Sequence, residues 1–183
     1  MTAPASVSSD ERLRLFLALQ LPDDVLDEVE RWQRGQLPGV RLVRREHLHV
    51  TLAFLGHRPA GELDSIVDDL RGAAAGAGEI RLTLARYRET RSVGMLVLED
   101  DGGSAAVLAD DLQERLERLG VYRRESRPWL PHLTVARWRE RPRLRPELPA
   151  VGTFVPSDAA AYLSRLHPGG ARYEVLESVA LGG

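Results

Sequence analysis

The chain of 183 residues has no cysteine and no lysine. Without thiols there can be no disulfides, no thiolate zinc ligands and no cysteine nucleophile, a pattern that fits the cytoplasm. All 25 basic side chains are therefore arginines. So global a bias reads as a habit of the genome and says little about any one site, although arginine does suit phosphate forks. There is no run of 18 apolar residues, so no membrane-spanning helix is expected. Residues 1–11 are small and polar with no hydrophobic signal core, and read as a short disordered lead-in. Charge is nearly balanced, with 27 acidic residues and a formal net charge of −2. That excludes a polybasic nucleic-acid binder as a whole and requires any anion-binding surface to be local.

What is present is enough for a substantial core, since 43% of residues are hydrophobic. Arg14 to Leu19 reads as a buried strand ended by Pro22, and Pro22-Asp23-Asp24 opens a helix with acids at its positive end. Gly35 is expected to stop that helix. Val40 to Val43 and Leu48 to Leu55 read as extended, the second closed by Gly56. Glu62 to Ala75 carries an amphipathic stripe, and Ile80 to Tyr87 and Ser92 to Leu98 read as strands. Ser104 to Leu119 is a helix stopped by Gly120, and Arg139 to Pro149 is an exposed connector. Phe154-Val155, Ala160 to Leu166 and Tyr173 to Leu181 close the chain as strands. This order predicts an α+β fold with two similar lobes, one from each half of the sequence, sharing a cleft. Residues 12–183 are expected to form this one bilobal domain, as a monomer.

One pattern occurs twice: His49-Val50-Thr51-Leu52 and His132-Leu133-Thr134-Val135, one in each half. In a strand, alternate side chains share a face, so His49 and Thr51, and likewise His132 and Thr134, face out while their apolar neighbours bury. Two imidazoles brought together can hold opposite protonation states, one as acid and one as base. The threonine hydroxyls can donate to phosphate oxygens, with an arginine to hold developing charge. A metal site built from His47, His49 and His132 is the competing reading. The lack of cysteine and of carboxylates at ligand spacing weighs against it, so no metal and no cofactor is expected.

These residues resemble the 2H phosphoesterase superfamily, named for its two His-x-Thr motifs. Within it, the match is closest to bacterial RNA 2′,3′-cyclic phosphodiesterases, also called 2′-5′ RNA ligases. The stretches that carry the resemblance are residues 14–22, 47–56 and 127–137, with a weaker match through Tyr162-Leu163-Ser164 and Arg172-Tyr173. The resemblance implies two pseudo-symmetric lobes, each an antiparallel sheet with helices, around an open, positively lined cleft. It implies metal-independent hydrolysis of RNA 2′,3′-cyclic phosphate ends to 2′-phosphomonoesters. It assigns His49 as general acid and His132 as base, with Thr51 and Thr134 holding the phosphate, and reversible 2′-5′ joining of RNA ends by the same pair. The expected partner is RNA with a cyclic phosphate end or a small cyclic nucleotide, with no membrane. An RNA-end binding module without turnover is the reading from another class.

Two positions, each five residues after its histidine, map onto the family's ligand contacts. Phe54 matches the residue that stacks a nucleobase, and Arg137 the arginine that meets the phosphate. Strict alternation sets both on the face opposite the histidines. Either a bulge or twist redirects them, or the mapping does not hold. Arg127 lies close enough to the second motif to reach the cleft. Trp129 is either a base platform or a cap on the core, and His47 reads as a bystander where the strand begins.

Overall fold

A computed structural model describes residues 11–182. The expected disordered lead-in lies outside them except for Glu11. Eight strands form two four-stranded antiparallel sheets. The first holds β1 (Arg12–Leu19), β3 (Val50–Pro59), β7 (Ala159–His167) and β8 (Gly170–Val179) in the order β3-β1-β7-β8. The second holds β2 (Arg41–Leu42), β4 (Arg81–Glu89), β5 (Val93–Asp101) and β6 (His132–Arg137) in the order β2-β6-β5-β4. The helices are α1 (Asp23–Gln36), α2 (Leu63–Gly76) and α3 (Ser104–Arg118).

The α+β, two-sheet expectation holds, but the lobes are not sequence halves. β2 leaves the first half to pair with β6, and β7 returns to pair with β1 and carries β8 on its other edge. The chain therefore passes between the sheets at four connections: β1 to β2, β2 to β3, β3 to β4 and β6 to β7. Apolar runs do not encode which neighbour a strand chooses, so this exchange was not readable from the pattern.

Local chemistry accounts for the ends of the elements. Asp23 and Asp24 sit in the first turn of α1 behind Pro22. Gly35 does not stop this helix, which runs one residue further and ends at Leu37, where the backbone leaves the helical region. Before α3, Gly102 and Gly103 take left-handed φ values of +87° and +80°, which a side chain would oppose. The Asp100 carboxylate accepts from the N–H groups of Ala105 and Ala106 and so caps the first turn. Gly56 does not close β3. It takes φ +68° beside a register shift, and the strand bends and continues to Pro59.

One continuous core lies between the sheets and the helices, with Leu17, Leu19, Ile66, Leu70, Leu96, Leu112 and Leu133 almost wholly buried. β1 also packs on its other face. Phe16 and Ala18 join Ala160, Tyr162 and Tyr173 in a separate aromatic cluster. Phe16 stacks parallel to Tyr162 at 4.7 Å between ring centroids. That cluster backs the candidate site. The Arg139 to Pro149 connector is irregular, as expected, but it is pinned. The Glu89 side chain is only 2% exposed. Its oxygens accept from Arg141 Nε and from the backbone N–H groups of Arg143 and Leu144.

Candidate active site

The two motifs come from different sheets and meet across one cleft. His49 directly precedes β3 in the first sheet, and His132 begins β6 in the second. His49, Thr51, His132 and Thr134 all line a cavity of about 680 Å³. Arg14, Arg41, Arg44, Arg137 and Arg172 line it too, with His47 and His167, and no carboxylate does among the described residues. Arg14, Arg41, Arg137 and Arg172 have no acidic partner among those residues. A chain with a small net negative charge thus concentrates unneutralised cations where the two histidines meet, as the requirement for a local anion surface predicts.

The alternation problem is resolved by a matched pair of bulges. β1 runs Leu17↔Ala53 and then Ala18↔Thr51, so Leu52 is an extra residue in β3. β5 runs Gly94↔Ala136 and then Met95↔Thr134, so Val135 is an extra residue in β6. Each extra residue immediately follows the motif threonine. It shifts the strand by one position and turns the later side chain back to the motif face. Phe54 is consequently 49% exposed and lines the cleft, as does Arg137. The guanidinium carbon of Arg14 lies 4.8 Å from the Phe54 ring centroid, and its Nη1 donates to the buried Ser164 hydroxyl at 2.8 Å.

Each bulge is held from behind by a glutamine. The Leu52 carbonyl accepts from Gln113 Nε2 of α3 at 2.9 Å. The Val135 carbonyl accepts from Gln33 Nε2 of α1 at 2.8 Å, and the same amide reaches the Val43 carbonyl. Gln33 is 1% exposed. The sequence reading missed both glutamines, because a glutamine on an amphipathic helix looks like surface. The signal for the bulges themselves was present. Each motif threonine is followed by two apolar residues, Leu52-Ala53 and Val135-Ala136, where alternation allows one.

The two imidazoles have unlike surroundings. His132 Nδ1 donates to the Leu130 carbonyl at 2.8 Å, which leaves Nε2 as the basic nitrogen of the neutral ring. His49 lies among Phe16, Tyr162 and Tyr173, with ring centroids 4.9, 5.8 and 5.7 Å away. Its Nε2 sits 3.1 Å from Thr51 Oγ1, and its Nδ1 is buried with no partner in hydrogen-bonding geometry. Burial pushes the His49 pKa down to about 4. The His47 carbonyl opposes this, whereas the charges of His47, His132 and Arg137 add to it. His47 is also held below its ordinary value by burial, beside the Tyr173 ring at 4.3 Å.

Two sequence candidates fall beside the cleft and not in it. Arg127 is exposed, pairs with Glu125 and lines an adjoining cavity. It therefore lines the cavity on the far side of His132 and not the cleft that its place in the sequence suggested. Trp129 lines that same cavity, and its indole N–H donates to the Thr51 carbonyl at 2.9 Å, so it braces the first motif from the second sheet's side. No group of three or more His, Asp or Glu is placed to hold a metal ion among the described residues. No helix among them is long and apolar enough to cross a membrane.

The sequence profile of the 2′-5′ RNA ligase superfamily matches residues 21–167. The chain belongs to that superfamily. It is similar to the RNA 2′,3′-cyclic phosphodiesterase of Methanocaldococcus jannaschii, with 26% identity across 90% of this chain and 99% of the relative. It is 31% identical to the enzyme of the same name from Thermus thermophilus, over 93% of this chain and 91% of the relative. The crystal structure of Escherichia coli LigT complexed with 3′-AMP superposes with a TM-score of 0.81 at 26% identity, covering 94% of this chain and 100% of that one. The two-sheet architecture is thus the architecture of LigT-like proteins. An arrangement of two imidazoles, two hydroxyls and free arginines around one cavity is equipped for proton transfer at an oxyanion.

Proposed function

We propose that the protein hydrolyses RNA 2′,3′-cyclic phosphate ends to 2′-phosphomonoesters without a metal. The observation that carries this reading is the convergence of both His-x-Thr motifs on one carboxylate-free, arginine-lined cavity. The names of the relatives across nearly the whole chain support the substrate class.

Thr51 and Thr134 donate to the non-bridging phosphate oxygens, and Arg137 offsets their charge. His132 Nε2 takes a proton from water as the water oxygen bonds to phosphorus. The bond from phosphorus to the 3′ oxygen breaks, and His49 Nε2 gives its proton to that oxygen. The product carries a 2′-phosphate and a 3′-hydroxyl. His132 ends protonated and His49 neutral, and exchange with solvent restores both. With a 5′-hydroxyl in place of water, the same steps form a 2′-5′ linkage. Phe54 stacks the terminal base.

The test is turnover of an oligonucleotide ending in a 2′,3′-cyclic phosphate, in excess EDTA, by wild type, His49→Ala and His132→Ala. Wild type should turn over undiminished, and each variant should lose roughly 10²–10⁴-fold. Loss of activity in EDTA refutes metal independence, and full activity in either variant refutes the acid–base assignment.

A further inference from the structure

The cleft is not the only cavity that His132 lines. A second one of about 600 Å³ shares Thr51, Phe54 and His132 with the first but does not reach His49. It lies on the side of the group assigned to activate the nucleophile. The nucleophile of hydrolysis is only a water, so a cavity of this size on that side has room for a larger one.

Its lining is graded. Beside His132 the wall is uncharged, made by Trp129, Leu130, Pro128 and Met95, and the one carboxylate of the lining among the described residues, Glu125, is paired with Arg127. Further out stand Arg86 and Arg88, both exposed and without a carboxylate partner among the described residues. Strand register fixes their position. Arg86 lies opposite Val97, which lies opposite His132, and Arg88 lies opposite Met95, which lies opposite Thr134. Directly opposed residues in an antiparallel sheet share a face. The two arginines therefore stand on the motif face, two strands away, about 10 Å from the motif residues.

We infer that this second cavity holds the RNA strand that presents a 5′-hydroxyl to the cyclic phosphate. The inference rests on the proposed phosphodiester chemistry. Such a strand is uncharged at the hydroxyl that reacts, offers a base to an apolar wall, and carries its first phosphate one nucleotide further on. The lining matches that order: apolar and aromatic at His132, a neutralised Glu125–Arg127 pair beside it, and the unpaired Arg86 and Arg88 a nucleotide's reach away. In joining, the 5′ oxygen bonds to phosphorus and its proton passes to His132, while the bond to the 3′ oxygen breaks and that oxygen takes the proton of His49. Cleavage of a 2′-5′ junction runs the same steps backward, with the released strand leaving through this cavity.

The experiment compares wild type, Arg86→Ala/Arg88→Ala and Arg86→Lys/Arg88→Lys in two reactions. The first is hydrolysis of a 2′,3′-cyclic mononucleotide. The second is joining of a cyclic-phosphate oligonucleotide to a 5′-hydroxyl oligonucleotide, with its reverse. The alanine pair should leave the first within about twofold and lower the second roughly tenfold, through KM for the 5′-hydroxyl strand, and the lysine pair should restore most of it. Equal loss in both reactions, or none in the second, overturns the inference. A wild type that hydrolyses the mononucleotide but neither joins nor cleaves a junction overturns the inference alone. A wild type inert on every cyclic phosphate overturns the proposed function itself.

Discussion

His49 should bind its proton only when an anion occupies the cleft. In the free protein, burial among Phe16, Tyr162 and Tyr173 lowers its pKa from 6.5 to about 4. At pH 6.5 the protonated ring is then a few parts in a thousand, yet the acid role proposed for it needs that proton. A bound phosphate supplies the missing charge balance. If it returns the pKa to the ordinary value, the shift corresponds to about 3 kcal/mol of coupling between proton and anion. By reciprocity, anion affinity should rise about tenfold per pH unit as the pH falls from 6.5 toward 4, roughly 300-fold in all. Sulfate is the suitable probe because its charge is constant over that range. Calorimetric titration with sulfate, beside the imidazole proton shifts of free and bound protein, reads both quantities. The pH dependence should fall far more in His49→Gln than in His132→Ala, with a remainder from His47 and the other cleft imidazoles, and Phe16→Ala should raise the free midpoint by admitting water. A free His49 midpoint near 6.5, or a sulfate affinity that does not change with pH in this window, refutes the reasoning. The same shift also acts on folding. The folded value lies below the unfolded one, so the stability carried by the neutral ring is present above pH 6.5 and is lost as pH falls toward 4, by about 3 kcal/mol at most.

Other outcomes follow from the geometry. Thr51→Val and Thr134→Val should each lower kcat by about 10–10³-fold with little change in melting temperature, measured on the cyclic-phosphate oligonucleotide. Phe54→Ala should raise KM for that oligonucleotide more than it lowers kcat, and the reverse pattern counts against base stacking. Gln113→Leu leaves the Leu52 carbonyl without its amide and should cost about 1–3 kcal/mol in denaturant unfolding while raising KM through Phe54. Glu89→Gln removes a buried carboxylate that accepts from Arg141 and two backbone N–H groups, and should destabilise by about 2–4 kcal/mol without altering kcat.

Much of the site was legible because its parts are local. The His-x-Thr alternation reads directly as one wet face and one buried face, and the register puts His132 and Thr134 on that wet face. Phe54 and Arg137 were half legible. Their alignment pointed to the cleft while alternation denied it, and the one-residue insertions that reconcile the two are features of strand pairing. Gln33 and Gln113 were not legible at all, since what they hold exists only once the helices lie against the bulged strands. Arg127 shows the opposite error. Closeness in sequence to the motif suggested the cleft, whereas the fold sets it in the adjoining cavity, past Thr51 and His132.

The four connections between the sheets bear on how the cleft moves. Two lobes joined by a single strap can swing as rigid bodies about it. Here the sheets are sewn together by residues 20–40, 43–49, 60–80 and 138–158, and Glu89 clamps the last of these. A swing about any one link stretches the other three. A hinge between the two sheets would therefore have to bend in all four connections at once, the clamped one included.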